Sequence, residues 1–172
     1  MKICYLSNSA IGSYYASSIQ IVKMCEAFTK LGNDVVLISR KAENKKIKKQ
    51  NIFSYYDVKS KFTIKILKSF KTFPLGIKYY LFSIISIVES LKFRPNIYIT
   101  RNFFTCFLLV LFRKKIILEL HHDLSIESRT VKFLVKYFKF LNSKCIKKIV
   151  AITHSVKNTY IDNYRVNNEK IL

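Results

Sequence analysis

The chain has 172 residues, 50% of them hydrophobic, and 31 Lys and Arg set against 10 Asp and Glu give a formal net charge of +21. A domain of this length buries roughly 70% of its unfolded surface, so one real core is expected. The most membrane-like stretch, Leu75 to Leu91, is interrupted by Lys78 and Glu89 and falls short of the ~20 apolar residues a span needs, which excludes a transmembrane helix. The amino terminus starts directly in a strand pattern, without the charged and apolar regions of a secretion signal, and a cytoplasmic chain is expected. The charge favours anionic partners: nucleic acid, acidic lipid headgroups or phosphorylated substrates. A general bias toward Lys, Ile, Asn, Phe and Tyr, with most lysines simply solvated, accounts for the same balance.

In chain order, Lys2 to Ser7 is a short β-prone run, followed by the polar turn Asn8 to Ser13. Ala16 to about Leu31 carries Ile19, Val22, Ala27 and Leu31 at a spacing that suits one helical face; Gly32-Asn33 ends it, and Asp34 to Ser39 is a second apolar run. This is a βαβ unit, whose first turn lies at the carboxyl end of a strand and the amino end of a helix, where backbone N–H groups and the helix dipole attract anions. A phosphate is the expected guest; the alternative is a plain connection.

Lys41 to Gln50 is a basic connection. Asn51 to Val58 is aromatic and β-prone, the expected third strand, and Lys59 to Phe73 is a basic amphipathic helix or two, ended by Pro74. Leu75 to Phe93 is a helix with an apolar stripe at Ile77, Leu81, Ile84, Ile85, Val88 and Leu91. Strands are expected at Ile97–Thr100, Lys115–Leu120 and Lys147–Ile152, with helices at Arg101–Phe112, Arg129–Leu141 and His154–Tyr164. Strands alternating with helices predict an α/β fold, a Rossmann-like three-layer arrangement around an open parallel sheet, with 3-2-1-4-5-6 as the expected order. Asn168 to Leu172 reads as the start of another strand, so partner sequence is expected. Cys4, Cys25, Cys106 and Cys145 are scattered without a C-x-x-C and read as reduced and structural.

Ligands of open α/β sheets sit outside the carboxyl ends of the strands. There the first strand delivers Asn8 to Ser13, the fourth Thr100, Arg101 and Asn102, the fifth Glu119, His121, His122 and Asp123, and the sixth Thr153, His154 and Ser155. All three histidines lie on this rim, and His121 is the principal candidate, since imidazole binds hydroxyls or acts as a base near neutral pH. Arg101 and Glu119 read equally as a structural ion pair, His122 as solvent-facing and His154 as a helix-end residue. Adjacent strand residues point to opposite faces, so His121-His122 is a poor chelate. There is no G-x-G-x-x-G, no G-x-x-x-x-G-K-[ST] and no G-x-S-x-G, which argues against dehydrogenase, P-loop NTPase and α/β-hydrolase readings.

Three places resemble the amino-terminal domain of family 4 glycosyltransferases, which have the two-domain GT-B fold. They are S-I-Q-I-V-K-M-C-E-A-F-T-K-L-G-N-D-V from Ser18; Tyr98-Ile99-Thr100-Arg101 with Glu119-Leu120-His121; and Val150-Ala151-Ile152-Thr153, with Val156-Lys157 and Glu169-Lys170-Ile171-Leu172. The resemblance covers essentially the whole chain, 1–172, as an acceptor-side domain, with the carboxyl-terminal donor domain absent. It implies sugar transfer from a nucleotide-diphosphate sugar to a glycan or lipid-linked acceptor, as in polysaccharide biosynthesis. It further implies that Gly12, with Ser13, lies under the donor phosphate, that His121 contacts the transferred sugar or acceptor, and that Arg101, Glu119 and Thr153 line the substrate site. One glycine stands where many members have a pair, and Asn33 where the family usually has His.

Gly12, Arg101, Glu119 and His121 are expected in one crevice. Without a carboxylate cluster suited to Mg²⁺ or Mn²⁺, no cofactor or metal is expected. A donor-domain chain acting in trans is an expected partner. The other class of reading is a non-catalytic binding module or truncated remnant, held peripherally on the anionic inner membrane face by Lys59 to Phe73 and the preceding lysines; in the competing view Phe62, Ile66 and Phe70 are core contacts. A nucleic-acid partner rests on charge alone.

Overall fold

Ile3, Cys4, Tyr5 and Leu6 are each no more than 3% exposed. Both faces of their strand are covered, which is the condition under which a strand reads as an unbroken apolar run. In the computed structural model, which describes residues 1–41, 52–67 and 75–172, this strand is β1, Lys2–Ile11. The same holds for Val35 to Ile38 in β2, Asp34–Lys41. The chain divides into two units, Met1–Asn96 and Ile97–Leu172.

In the first unit β1 pairs with β2 in parallel, from Lys2 opposite Asp34 to Ser7 opposite Ser39, and the register shifts before Ala10. Between them lies α1, Ala16–Lys30. Its inner face is Ser18, Ile21, Val22, Cys25 and Glu26, so of the expected stripe only Val22 is buried, while Ile19 and Leu31 are exposed. Polar residues sit inside because they have fixed partners. Glu26 accepts from the Lys59 N–H at 2.8 Å and meets Lys23 and Lys30, each at 3.2 Å. The Lys59 N–H is the largest cause that holds its carboxyl down at about 2; burial opposes it, and Lys23 and Lys30 add to the lowering. A depressed carboxylate stabilises the fold above its unfolded value of about 4.3 and loses that contribution as pH falls toward 2. The stability of the wild-type chain should therefore fall more steeply between pH 5 and 2 than that of Glu26→Gln, as read from urea midpoints across that range.

The third strand is not where the aromatic run suggested. Within Asn51 to Val58, Ile52–Tyr55 is a short helix, α2, and the strand β3 is Thr63–Leu67, inside the stretch expected to be a basic amphipathic helix. It pairs in parallel with β2, Val36 opposite Thr63 to Arg40 opposite Leu67. Phe62, Ile64 and Leu67 are buried, a period of two in the first pair that the flanking lysines obscure. The basic residues 42–50 and the end of that stretch, 68–73 with Phe70, lie outside the described residues.

Helix α3, Leu75–Leu91, also corrects an expectation. Of the expected apolar stripe, Ile77, Ile84, Ile85, Val88 and Leu91 are exposed and Leu81 is half-buried, and the buried face is Phe82, Ser83, Ser86, Ile87 and Ser90. Small side chains let the helix approach β1 and β2. Their hydroxyls are satisfied inside the helix itself: Ser83 donates to the Tyr79 carbonyl at 3.0 Å and Ser86 to that of Ser83 at 2.9 Å.

The second unit matches its expectations closely. β4, Ile97–Thr100, pairs in parallel with β5, Ile116–Leu120, and β5 with β6, Ile146–Ala151. The strand order is β3-β2-β1 in the first unit and β4-β5-β6 in the second. The helices are α4, Phe103–Leu111, α5, Arg129–Phe138, and α6, His154–Tyr164. Each begins on a side-chain cap, Asn102, Ser128 and Thr153 in turn, so rim residues double as helix starts. At the carboxyl terminus three of the five residues expected in a strand, Asn168–Lys170, form a 3-10 turn; Ile171 alone bridges to Ile149 of β6 in parallel. Cys4, Cys25 and Cys106 are buried and all four cysteines are free thiols; burial pushes the Cys4 thiol up to about 12, which suits an inert packing role. Parallel strands joined by helices make this an α/β, Rossmann-like fold. Among the described residues no helix is long and apolar enough to cross a membrane.

Candidate functional site

In the first unit the turn after β1 reverses at Gly12, whose φ of 94° lies in the region only glycine enters freely. The backbone N–H groups of Gly12 and Ser13 point the same way, as an anion cradle requires. Both donate to the phenolic oxygen of Tyr56, at 2.9 and 3.1 Å, and the phenol donates to the Ser13 carbonyl at 2.8 Å. The Ser13 hydroxyl donates to the Ala10 carbonyl at 2.7 Å and lies 2.9 Å from the Ser18 hydroxyl, which also reaches Ala10. Burial holds the Tyr56 phenol above its ordinary pKa, against the lowering by the two N–H groups. The turn is thus preformed, with the chain's own phenol where a ligand oxygen was expected.

Helix α1 then starts at Tyr15 without a side-chain cap and without an acidic residue in its first turn, which leaves the positive end of its dipole uncompensated. Sequence reasoning missed Tyr56, because it is more than forty residues from the turn and was read as part of a strand. Tyr56→Phe should cost about 1–3 kcal/mol, the penalty for leaving buried donors without an acceptor. Thermal melting of the two proteins measures it.

In the second unit β4 and β5 are neighbours, so Arg101, just past the end of one, meets Glu119, near the end of the other. The Arg101 Nε donates to Glu119 Oε2 at 2.8 Å, with the side chains 15% and 8% exposed. His121 Nε2 lies 3.4 Å from that same Oε2 and keeps 24% exposure. The structural ion pair weighed in the sequence is therefore present, and it carries the candidate histidine. With its proton on Nε2, the imidazole faces the carboxylate and keeps Nδ1 as an acceptor.

The other rim residues are engaged locally. His122 Nδ1 is 3.1 Å from the Asp123 carbonyl oxygen and its Nε2 is 3.4 Å from Glu127 Oε1, so the two adjacent histidines, both just past the end of β5, have different partners. Its carbonyl accepts from Tyr160 at 3.2 Å. The Asp123 carboxyl is held below its ordinary range, first by the Ser125 hydroxyl, against the effect of burial. Thr153 accepts from the Val156 N–H at 3.2 Å as the cap of α6, and His154 is that helix's exposed first residue. Among the described residues no three His, Cys, Asp or Glu side chains are grouped to hold a metal ion.

The Glycosyltransferase Family 4 model matches residues 18–172. Among solved structures, a glycosyltransferase from Rickettsia africae ESF-5 is 17% identical, with a TM-score of 0.61 over 99% of this chain and 41% of its own. The UDP-GlcNAc 2-epimerase from Methanocaldococcus jannaschii is 14% identical, with a TM-score of 0.67 over 100% of this chain and 45% of its own. Anabaena Alr3699/HepE, in complex with UDP and glucose, is 10% identical, with a TM-score of 0.64 over 100% of this chain and 43% of its own. At such identities the likeness is one of fold, the Rossmann-like half of the GT-B architecture, and the chain spans less than half the length of these proteins. No curated protein matches. With the opening βαβ turn, the T-R and E-x-H strand ends and a family model that runs from Ser18 to the last residue, the chain belongs to glycosyltransferase family 4.

Proposed function

We propose that this chain is the acceptor-binding half of an enzyme that moves a sugar from a nucleotide-diphosphate sugar to a glycan or lipid-linked acceptor. The observation that carries the reading is the Arg101–Glu119–His121 group. A buried carboxylate held by a guanidinium fixes one edge of an imidazole, and the partly exposed ring is then positioned to accept a hydrogen bond from a sugar hydroxyl. Family membership supports the reaction class, and HepE, whose structure holds UDP and glucose, supports the donor class.

In this reading His121 contacts the transferred sugar or the acceptor, and Arg101 and Glu119 orient it. Thr153 contributes its hydroxyl beside its cap bond. Gly12 and Ser13 approach the donor diphosphate, which meets the uncapped start of α1 and competes with the Tyr56 phenol for their N–H groups. Basic residues of a donor-binding half, in the same chain or in trans, carry the rest of the diphosphate's charge in place of a metal ion.

The test is transfer from UDP-glucose and related donors by the 172 residues alone and with a family 4 donor-binding domain added. The expected result is weak or no donor binding and no transfer alone, and transfer when the second half is supplied. Robust transfer by the chain alone overturns the half-site reading.

A further inference from the structure

Helix α3 turns its serines and Phe82 inward, which leaves its apolar stripe facing out. Ile77, Ile84, Val88 and Leu91 are 49%, 45%, 58% and 46% exposed, Ile85 is exposed beside them and Leu81 is half-buried. Ile77, Leu81, Ile84, Val88 and Leu91 follow one another at steps of four, three, four and three residues, the spacing of the a and d positions of a coiled coil. The buried residues Phe82, Ser83, Ser86, Ile87 and Ser90 all fall on other positions of the same repeat, so the seam runs unbroken along the open side of the helix. A contiguous apolar surface of this kind marks a place of contact.

Charge and spacing identify the contact. From Tyr79 to Val88 the helix has no charged residue, and at its carboxyl end Lys65 and Lys92 are held by Glu89 at 3.0 and 2.8 Å. A surface of phosphates, on lipid or nucleic acid, finds no row of cations to meet there. A helix with the same alternation of four and three fits instead, because each side chain of such a seam enters a hole between four side chains of its partner. Helix α3 of a second copy is that helix. The five exposed apolar side chains on two copies present roughly 900 Å², and Leu81, Tyr80 and the Lys78 stem at the edges raise the total to about the 1,200 Å² at which specific interfaces begin. Opposed directions suit the pair. Side by side in parallel, the two Lys78 ammonium groups and the like ends of the helix dipoles would meet, whereas an antiparallel pair sets each Lys78 beside the carboxyl half of its partner helix.

We infer that the outer face of α3 is a self-association surface, on which α3 of a second copy packs antiparallel with Ile77, Leu81, Ile84, Val88 and Leu91 of the two chains interlocking about a two-fold axis. The seam includes none of Gly12, Ser13, Arg101, Glu119 or His121, so the pairing stands or falls apart from the transferase reading.

Sedimentation equilibrium of the full chain should show a monomer–dimer equilibrium that moves toward dimer as salt rises, since two copies at +21 each repel until they are screened. Ile84→Glu and Ile84→Lys each set a charge in the seam and should each raise the dissociation constant on the order of 10-fold or more, with the circular dichroism spectrum unchanged because Ile84 is exposed in the single chain. Mixed in equal amounts, the two variants should pair again, because residue 84 lies next to its own copy near the two-fold axis. Ile77→Cys should give no disulfide-linked dimer on mild oxidation; a linked dimer overturns the antiparallel setting. A wild-type chain that stays monomeric at every salt concentration, an Ile84→Glu chain that associates like wild type, or a mixture that does not pair overturns the assignment. So does an Ile84-dependent capture of the chain by an added family 4 donor-binding domain or by phospholipid vesicles in place of the dimer, which gives the face to another occupant.

Discussion

His121→Ala is expected to lower sugar transfer by about 10²-fold or more, the scale of a lost acid–base or positioning group, when the chain acts together with a donor-binding half. The ring is the exposed end of a short chain of contacts, Arg101 Nε to Glu119 Oε2 at 2.8 Å and that oxygen to His121 Nε2 at 3.4 Å. Truncating it removes the group proposed to meet substrate and leaves the shorter, buried Arg101–Glu119 bond in place. The melting temperature should therefore change little, and the loss should appear in turnover more than in the substrate concentration for half-maximal rate. The rate of nucleoside diphosphate release, with wild type and variant matched for folded protein, measures the effect. An unchanged rate takes His121 out of the site.

Arg101→Met should have the opposite profile, a large loss of stability. Glu119 is 8% exposed, and the guanidinium at 2.8 Å is a closer partner of its carboxylate than His121 Nε2 at 3.4 Å. Breaking a buried pair in this way costs on the order of 3–5 kcal/mol, and the lower end applies here because Arg101 itself keeps 15% exposure. Urea unfolding of the chain should show a clearly lower midpoint. Adding Glu119→Leu to Arg101→Met should recover much of the loss, since an apolar pair needs no such compensation. If the single substitution leaves the midpoint in place, the pair is not what holds the ends of β4 and β5. If the double variant is as unstable as the single one, Glu119 has a structural role beyond this bond.

Tyr56 and Glu26 extend the same logic to the first unit. Each satisfies backbone N–H groups of a segment far away in the chain, the Gly12–Ser13 turn and the Lys59 connection. Neither signals this role in the sequence, since a tyrosine in an aromatic run and a glutamate on a helix have many ordinary uses. Donor-phosphate binding at the turn and the Tyr56 bonds use the same N–H groups, so Tyr56 bears directly on how the proposed donor contact forms.

The sequence by itself determined the βαβ opening, β1, β2, β4, β5 and β6 to within a few residues, the limits of α3 and α6, and the place of Arg101, Glu119 and His121 at the ends of neighbouring strands. These are local signals: a doubly covered strand must be an unbroken apolar run, and a helix must start and stop at cap residues. Only the tertiary structure decided which face of α1 and α3 is inside. Burial there follows partners: the Lys59 N–H and two lysines for Glu26, and close approach to the sheet for Ser83, Ser86 and Ser90. It also decided the third strand. Thr63–Leu67 pairs with the open edge of β2, while the more β-prone aromatic run folds into a turn of helix that brings Tyr56 to Gly12. Strand pairing and buried hydrogen bonds join residues far apart in the chain, and local propensity, weak beside a full ladder of backbone bonds, carries no record of them.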